Sequence, residues 1–221
     1  MLEVTKLDCV RGDRKLFSDI NLALKPGTFL QVLGANGSGK TSLLRILCGL
    51  LAPARGEVRW QGANIRSLGE EYFTAINYVG HRNGLKEELT SLENLTISSG
   101  LSGKRVSKEV AKNILDRMGL AGRHNLAARL LSEGQRRRLA LSRLLSCTAT
   151  VWILDEMFTS LDKAAVALMT SLLKDHLAND GMAIVATHHE LELNDGELQR
   201  LDLSPDISEG TSDPAVAGYA S

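Results

Sequence analysis

The 221-residue chain lacks a hydrophobic run long enough to cross a membrane. Its longest candidate, residues 144–154, is interrupted by Ser146, Thr148 and Thr150, whereas a spanning helix needs about 20 consecutive apolar residues. The first ten residues contain Glu3 and Asp8 but no apolar stretch, so they do not have the form of a secretory signal. These absences predict a cytoplasmic polypeptide with no membrane span of its own.

An excess of either charge is missing as well. The 26 basic residues (Lys and Arg) balance the 26 acidic residues (Asp and Glu), and this balance argues against nucleic acid as the main partner. Cysteine is scarce: Cys9, Cys48 and Cys147 are odd in number, far apart and without the spacing of a metal site. We interpret them as small buried thiols.

Strand patterns alternate with turns and helical patterns along most of the chain. The run 28–33 is apolar enough for a strand that is buried on both faces, and 151–154 and 182–186 are similar runs. Two segments have apolar residues at helical spacing: Leu43, Leu44, Leu47 and Leu50, which run up to Pro53, and Val166, Met169, Leu173 and Leu177. The alternation predicts an α/β fold with a mostly parallel sheet.

The middle and the end of the chain differ from this pattern. After a short β element at 57–60 and 76–79, residues 82–130 are mostly helical, with capping-box spacing from Thr90 to Glu93. One helix face is predicted to hold Val106, Val110, Ile114 and Met118. We therefore expect one domain over 1–203 with a helical subdomain inserted at about 82–130. Residues 204–221 have three acids and no Lys or Arg, which predicts a disordered tail.

A glycine-rich loop follows the first apolar strand. Residues 34–41 read GANGSGKT and match the phosphate-loop pattern GxxxxGK[ST] between a strand and a helix. The glycines let backbone N–H groups point at an anion, Lys40 reaches the β- and γ-phosphates, and the Thr41 hydroxyl can bind Mg²⁺. The pattern predicts a nucleoside triphosphate site formed by Gly34, Ala35, Asn36, Gly37, Ser38, Gly39, Lys40, Thr41 and Ser42.

Two acids end the apolar run at 151–154. Asp155 is placed to hold Mg²⁺, and Glu156, one residue farther on, can polarise an attacking water. The pair predicts that the bound triphosphate is hydrolysed.

A helix start lies 23 residues before Asp155, at Ser132 in the segment LSEGQ (131–135). Ser132 and Gln135 have capping spacing, and Gly134 permits a close backbone approach. Arg136, Arg137 and Arg138 follow, and we interpret them as a solvated face of that helix.

Together these motifs resemble the ATP-binding cassette (ABC) ATPases over about residues 1–200. The resemblance implies a P-loop α/β fold with an N-terminal antiparallel β-subdomain and an inserted α-helical subdomain, and it implies ATP and Mg²⁺ as cofactors. Each ATP would then lie between the phosphate loop of one subunit and the signature of another. Because the chain has one copy of each motif, it would work as a homodimer. The matching positions are the signature Leu131, Ser132, Glu133, Gly134 and Gln135, the D-loop Ser160, Leu161 and Asp162, and the switch histidine His188.

Two departures from that family's pattern are informative. Arg11 stands where an aromatic residue usually stacks on adenine, and its flat guanidinium can also stack on a base. His81 stands where the Q-loop glutamine is expected, and we hypothesise that it senses Mg²⁺ or the attacking water. Arg11 is therefore a candidate ATP-binding residue, and His81 a candidate catalytic residue beside Glu156 and His188.

Further segments resemble the ATPase subunits of the haem exporter system of cytochrome c maturation: CxRxxRxLF at 9–17, GEVxWxG at 56–62, and WILDE at 152–156. This resemblance implies a peripheral protein on the cytoplasmic face of the bacterial inner membrane. Its partners would be integral membrane subunits, a CcmB-like protein with a CcmC-like protein, and hydrolysis would release a haem-loaded chaperone. We expect no haem site in this chain. An ABC exporter ATPase with another substrate is the alternative.

Overall fold

The computed structural model describes residues 1–187 and 197–204, so His188 and positions 205–221 of the predicted tail lie outside the described residues. The strands are β1 Leu2–Arg11, β2 Arg14–Leu24, β3 Thr28–Leu33, β4 Arg55–Trp60, β5 Ala63–Asn64, β6 Ile76–Val79, β7 Val151–Asp155, β8 Met182–Ala186 and β9 Glu197–Asp202. The α-helices are α1 Lys40–Leu47, α2 Ile65–Leu68, α3 Glu70–Ala75, α4 Ser91–Leu101, α5 Lys108–Arg117, α6 Glu133–Leu141 and α7 Lys163–Ala178.

The strands form two sheets. One is antiparallel with the order β2-β1-β4-β5, and the other is parallel with the order β6-β7-β8-β3-β9. The α/β prediction and the mostly parallel sheet are confirmed. The prediction that 76–79 belongs with 57–60 to one short β element was wrong. Residues 76–79 form β6, which pairs with β7 at the edge of the parallel sheet, and α2 and α3 separate it from β5.

Helix α1 joins the two sheets into one core. Leu43 and Leu47 are fully buried and belong to the same apolar cluster as Leu2 of β1 and Ile153 of β7. A second cluster packs α7 against the parallel sheet, and a third lies among α4, α5, Leu131, and Leu139 of α6. Among the described residues, no helix is both long and apolar enough to span a bilayer.

The predicted continuation of α1 to Leu50 was wrong. The helix ends at Leu47, because Gly49 adopts a left-handed φ of 71° and the next two backbone N–H groups both return to the carbonyl of Arg45. This closure is a usual helix ending, and it leaves Leu50 62% exposed.

The predicted apolar face of α5 was only half right. Ile114 and Met118 are buried, but Val110 is exposed, and Ala111 and Leu115 are buried in its place. Val106 precedes the helix. Within it, steps of four residues drift by about 40° each around a helix with 3.6 residues per turn, so Val110 lies at the edge of the face that Ile114 and Met118 share with Ala111 and Leu115. The capping box from Thr90 to Glu93, by contrast, is confirmed at the start of α4.

Gly56 in β4 permits a close approach that no other residue would tolerate. It faces the irregular register of β1, and a Cβ atom added to it would lie 2.3 Å from the carbonyl oxygen of Lys6 and 2.4 Å from that of Thr5. Gly62 has a similar left-handed φ, 85° against 83°, but a Cβ there meets nothing within 4 Å. A substitution at Gly62 therefore introduces backbone strain alone, whereas one at Gly56 introduces both backbone strain and a steric collision.

We expect Gly56→Ala to lower the free energy of unfolding by about 3 kcal/mol, the sum of left-handed strain and overpacking. The matched control Gly62→Ala carries the strain alone and should cost about 1 kcal/mol. Urea unfolding followed by circular dichroism measures both. Equal losses in the two variants would contradict the collision.

Candidate functional site

The phosphate loop runs from the end of β3 to the start of α1. Gly39 precedes the helix with φ of 108°, and a Cβ there would lie 3.0 Å from the ring of Phe17 and 3.1 Å from the side chain of Leu16. The loop therefore rests directly on β2. Among residues 1–187 and 197–204 no side chain caps α1, so the first N–H groups of the helix are available to an anion.

Lys40 is only 6% exposed, although its side chain carries a charge. Its Nζ donates to the carbonyl of Gly34 at 2.7 Å and to that of Ala35 at 3.3 Å. It also lies 3.9 Å from Oε1 of Glu156. These contacts hold the ammonium group over the loop, next to the acid that follows β7.

Thr41 and Asp155 join two distant parts of the chain. The Thr41 hydroxyl donates to Oδ2 of Asp155 at 2.9 Å across 114 positions of sequence. Asp155 is 1% exposed, and its Oδ1 is buried with no hydrogen-bond partner among the described residues. A hydroxyl and a carboxylate with an unsatisfied oxygen are the ligand types that Mg²⁺ takes, so these residues fit that ion.

Glu156 is the first residue after β7, as its position in the sequence predicted. Its backbone adopts a left-handed φ of 52°, and its N–H donates to the carbonyl of Ala186 in β8 at 2.9 Å. Because β7, β8 and β3 are parallel neighbours, Glu156 and the phosphate loop lie at the same edge of the sheet, the one formed by the carboxyl ends of these strands.

A cavity of about 640 Å³ opens at this edge. It brings most of the predicted phosphate-loop residues together with Arg11, His81, Asp155 and Glu156. Leu16 and Thr159 also line it and were missed by the sequence analysis: Leu16 reads as an ordinary strand residue, and Thr159 follows the acid pair without a motif of its own. The full lining is Arg11, Leu16, Ala35, Asn36, Gly37, Gly39, Lys40, Thr41, Ser42, His81, Asp155, Glu156 and Thr159.

The predicted signature and D-loop residues do not line this cavity; they contact each other elsewhere. Ser132 and Gln135 form the predicted capping box at the start of α6. A Cβ on Gly134 would lie 3.1 Å from the carbonyl oxygen of Ser160. Asp162 caps α7 and pairs with Arg138. The roles proposed for both segments stay predictions.

The prediction of a solvated arginine face was wrong at its centre. Arg136 and Arg138 make ion pairs with Glu133 and Asp162, but Arg137 is 3% exposed. Its guanidinium turns inward to main-chain oxygens near β7, and burial lowers its pKa while Asp155 partly offsets that effect. The pattern of charged residues does not predict these partners, because every residue has a main-chain carbonyl and the sequence does not mark the ones that lie close to Arg137.

Comparisons with known proteins agree with the fold and the motifs. A family model described as "ABC transporter" matches residues 17–159. A cytochrome c biogenesis ATP-binding export protein CcmA from Nitrosospira multiformis is 53% identical over 203 residues, 92% of this chain and 98% of that protein. The protein of the same name from Methylococcus capsulatus is 52% identical over 198 residues, 90% of this chain and 95% of its own.

Solved structures match in fold. The dimeric structure of MJ0796, a bacterial ABC transporter cassette, has a TM-score of 0.78 at 24% identity and covers 92% of this chain and 95% of its own. A dimeric post-hydrolysis state of the same cassette, bound to ADP and Pi, has a TM-score of 0.76 at 24% identity, covering 86% and 88%. The chain belongs to the ABC transporter family and, within it, to the cytochrome c biogenesis ATP-binding export proteins called CcmA.

Proposed function

We propose that this protein binds ATP and hydrolyses it as the cassette of an export complex that serves cytochrome c biogenesis. The observation that carries the proposal is the 2.9 Å contact between Thr41 and Asp155, with Glu156 beside Lys40. It joins a phosphate-binding loop to a pair of acids at the mouth of one cavity. Binding and hydrolysis need these two groups of residues side by side.

Each group has a distinct chemical task. The backbone N–H groups of the loop and Nζ of Lys40 bind phosphate oxygens and balance their charge. Thr41 and Asp155 would hold Mg²⁺, which when bound neutralises charge that develops on the phosphates. Glu156 accepts a hydrogen bond from the attacking water and orients it, and His81, which lines the same cavity, is the candidate sensor of that arrangement.

The working unit is proposed to be a dimer. The signature at the start of α6 lies outside the cavity, so a second copy would have to supply it to ATP bound at the first. ATP that contacts both copies would favour the closed dimer through its differential affinity, and hydrolysis would remove that preference.

The complex is proposed to lie at the cytoplasmic face of the inner membrane. The names of the curated relatives support a role in cytochrome c biogenesis and export. The proposed partners are CcmB-like and CcmC-like membrane subunits, and the proposed outcome of hydrolysis is release of a haem-loaded chaperone. His188 is proposed to contact the γ-phosphate.

We expect Glu156→Gln to lower the turnover of ATP about 1,000-fold while leaving ATP binding intact, because the amide keeps the shape of the side chain but cannot accept a proton. Phosphate release measures turnover, and calorimetry measures binding. Lys40→Ala is the contrasting variant and should lose binding as well. Full turnover in Glu156→Gln would remove the acid from the mechanism.

We expect a crosslink between copies when Asn36→Cys, at an exposed position of the loop that lines the cavity, and Ser132→Cys are combined in a chain that also carries Cys147→Ser. The link should form only with ATP, because nucleotide brings the loop of one copy to the signature of the other. Gel electrophoresis after mild oxidation detects it. Adding Lys40→Ala should abolish it, and a link that is independent of nucleotide would argue against the shared site.

We expect the wild-type gene, expressed with its own membrane subunits, to restore haem-stained c-type cytochromes in a bacterium that lacks its ATPase for cytochrome c biogenesis. Glu156→Gln should not restore these cytochromes, because a variant that assembles with the membrane subunits but does not hydrolyse ATP cannot drive the complex. A wild-type chain that hydrolyses ATP but restores nothing would favour the alternative, an ABC exporter ATPase with another substrate.

A further inference from the structure

Arg137 occupies an unusual position on α6. Its Nη2 donates to the carbonyl of Glu156 at 2.9 Å and to that of Asp155 at 3.1 Å, and its Nε donates to the carbonyl of Met157 at 3.4 Å. One guanidinium therefore spans three consecutive peptide groups at the end of β7. Those groups carry the two acids of the site.

The other side of the same guanidinium reaches a different segment. Nη1 donates to the carbonyl of Gly80 at 3.0 Å and to Oδ1 of Asn83 at 3.2 Å. Gly80 and Asn83 lie on either side of His81 in the sequence, and His81 lines the cavity. Arg137 thus connects the segment around His81 with the segment around Glu156.

The arrangement is suited to an arginine and to no other side chain. Only a guanidinium has five N–H donors in a rigid plane, and Arg137 uses them on five acceptors. The backbone of Glu156 is held in a left-handed conformation that residues other than glycine rarely adopt. Bonds to the carbonyls on both sides and at Glu156 itself keep it there.

We propose that Arg137 is a positioning residue for hydrolysis: it fixes the backbone of Glu156 relative to the His81 segment. Because Arg137 belongs to α6, both segments would also move together with that helix. This inference rests on the proposed ATPase function and deepens it. A shift of α6, whose first residues form the signature, would then move the Glu156 carboxylate in the same chain. The residue acts on the acid through the main chain and touches no substrate.

The test compares Arg137→Gln and Arg137→Lys with the wild-type protein. We expect kcat for ATP to fall about 100-fold in Arg137→Gln, because small misplacements of a catalytic group cost that much. Arg137→Lys keeps the charge but loses the planar set of donors. Its kcat should therefore lie about 10-fold above that of Arg137→Gln and about 10-fold below that of the wild type. KM and the Kd for ATP should change less than about 3-fold, because the phosphate loop is untouched.

Arg143→Lys is the matched control. Arg143 follows α6, donates to the carbonyls of Ala140 at 3.0 Å and Asn83 at 3.3 Å, and, in the part of the chain that the structure describes, makes no hydrogen bond to residues 155–157. All variants are assayed below their own unfolding temperatures. Even if Arg143→Lys loses as much thermal stability as the Arg137 variants, it should keep kcat within about 3-fold of the wild type, since it leaves Glu156 in place.

Asn83→Ala keeps the test decisive if the Arg137 variants do not fold. It removes one acceptor of the guanidinium, together with the long hydrogen bond of 3.4 Å from Asn83 Nδ2 to Oε1 of Glu133, and leaves the guanidinium buried. We expect a fall in kcat of about 5-fold with unchanged KM. Unchanged kcat in the variants of Arg137 and Asn83 that fold, or an equal fall in Arg143→Lys, would overturn the inference. Absence of ATP hydrolysis in the wild-type protein would instead refute the proposed function.

Discussion

Parallel pairing of β3, β8 and β7 is the constraint on which the site depends. It brings the ends of strands that are more than 100 residues apart to one edge of a sheet, and the hydrogen bond from Thr41 to Asp155 closes the gap between them. In the proposed function, neither the loop nor the acid pair alone could bind a triphosphate and also activate water. The chemistry therefore follows from strand order as much as from the motifs.

Burial gives these polar groups their fixed positions. Lys40, Asp155 and Arg137 are all less than 7% exposed, and each has a polar or charged neighbour that offsets the loss of water. Charged groups held in a water-poor site interact strongly and need little reorganisation when charge develops. The same burial ties function to folding, because one core cluster includes residues of both sheets and of α1.

Local signals made much of this predictable. The bounds of β3 and β8, the phosphate loop, the acid pair and both capping boxes follow from residues within a few positions of one another. Features set by distant partners were missed. Strand β6 pairs with β7, which lies after the inserted helical segment in the sequence. Arg137 can be buried because carbonyls 18 to 20 positions later and 57 positions earlier accept hydrogen bonds from it.

The contact between Gly39 and Phe17 has a consequence for how substitutions in this protein are judged. Phe17 belongs to the apolar core on one face, while its ring is also the support on which the glycine loop lies. A smaller or larger side chain there would change the surface on which the loop and the start of α1 rest, together with the packing of the core. Position 17 would then behave in a genetic screen as though it were part of the nucleotide site, although it carries no polar atom that a phosphate could touch.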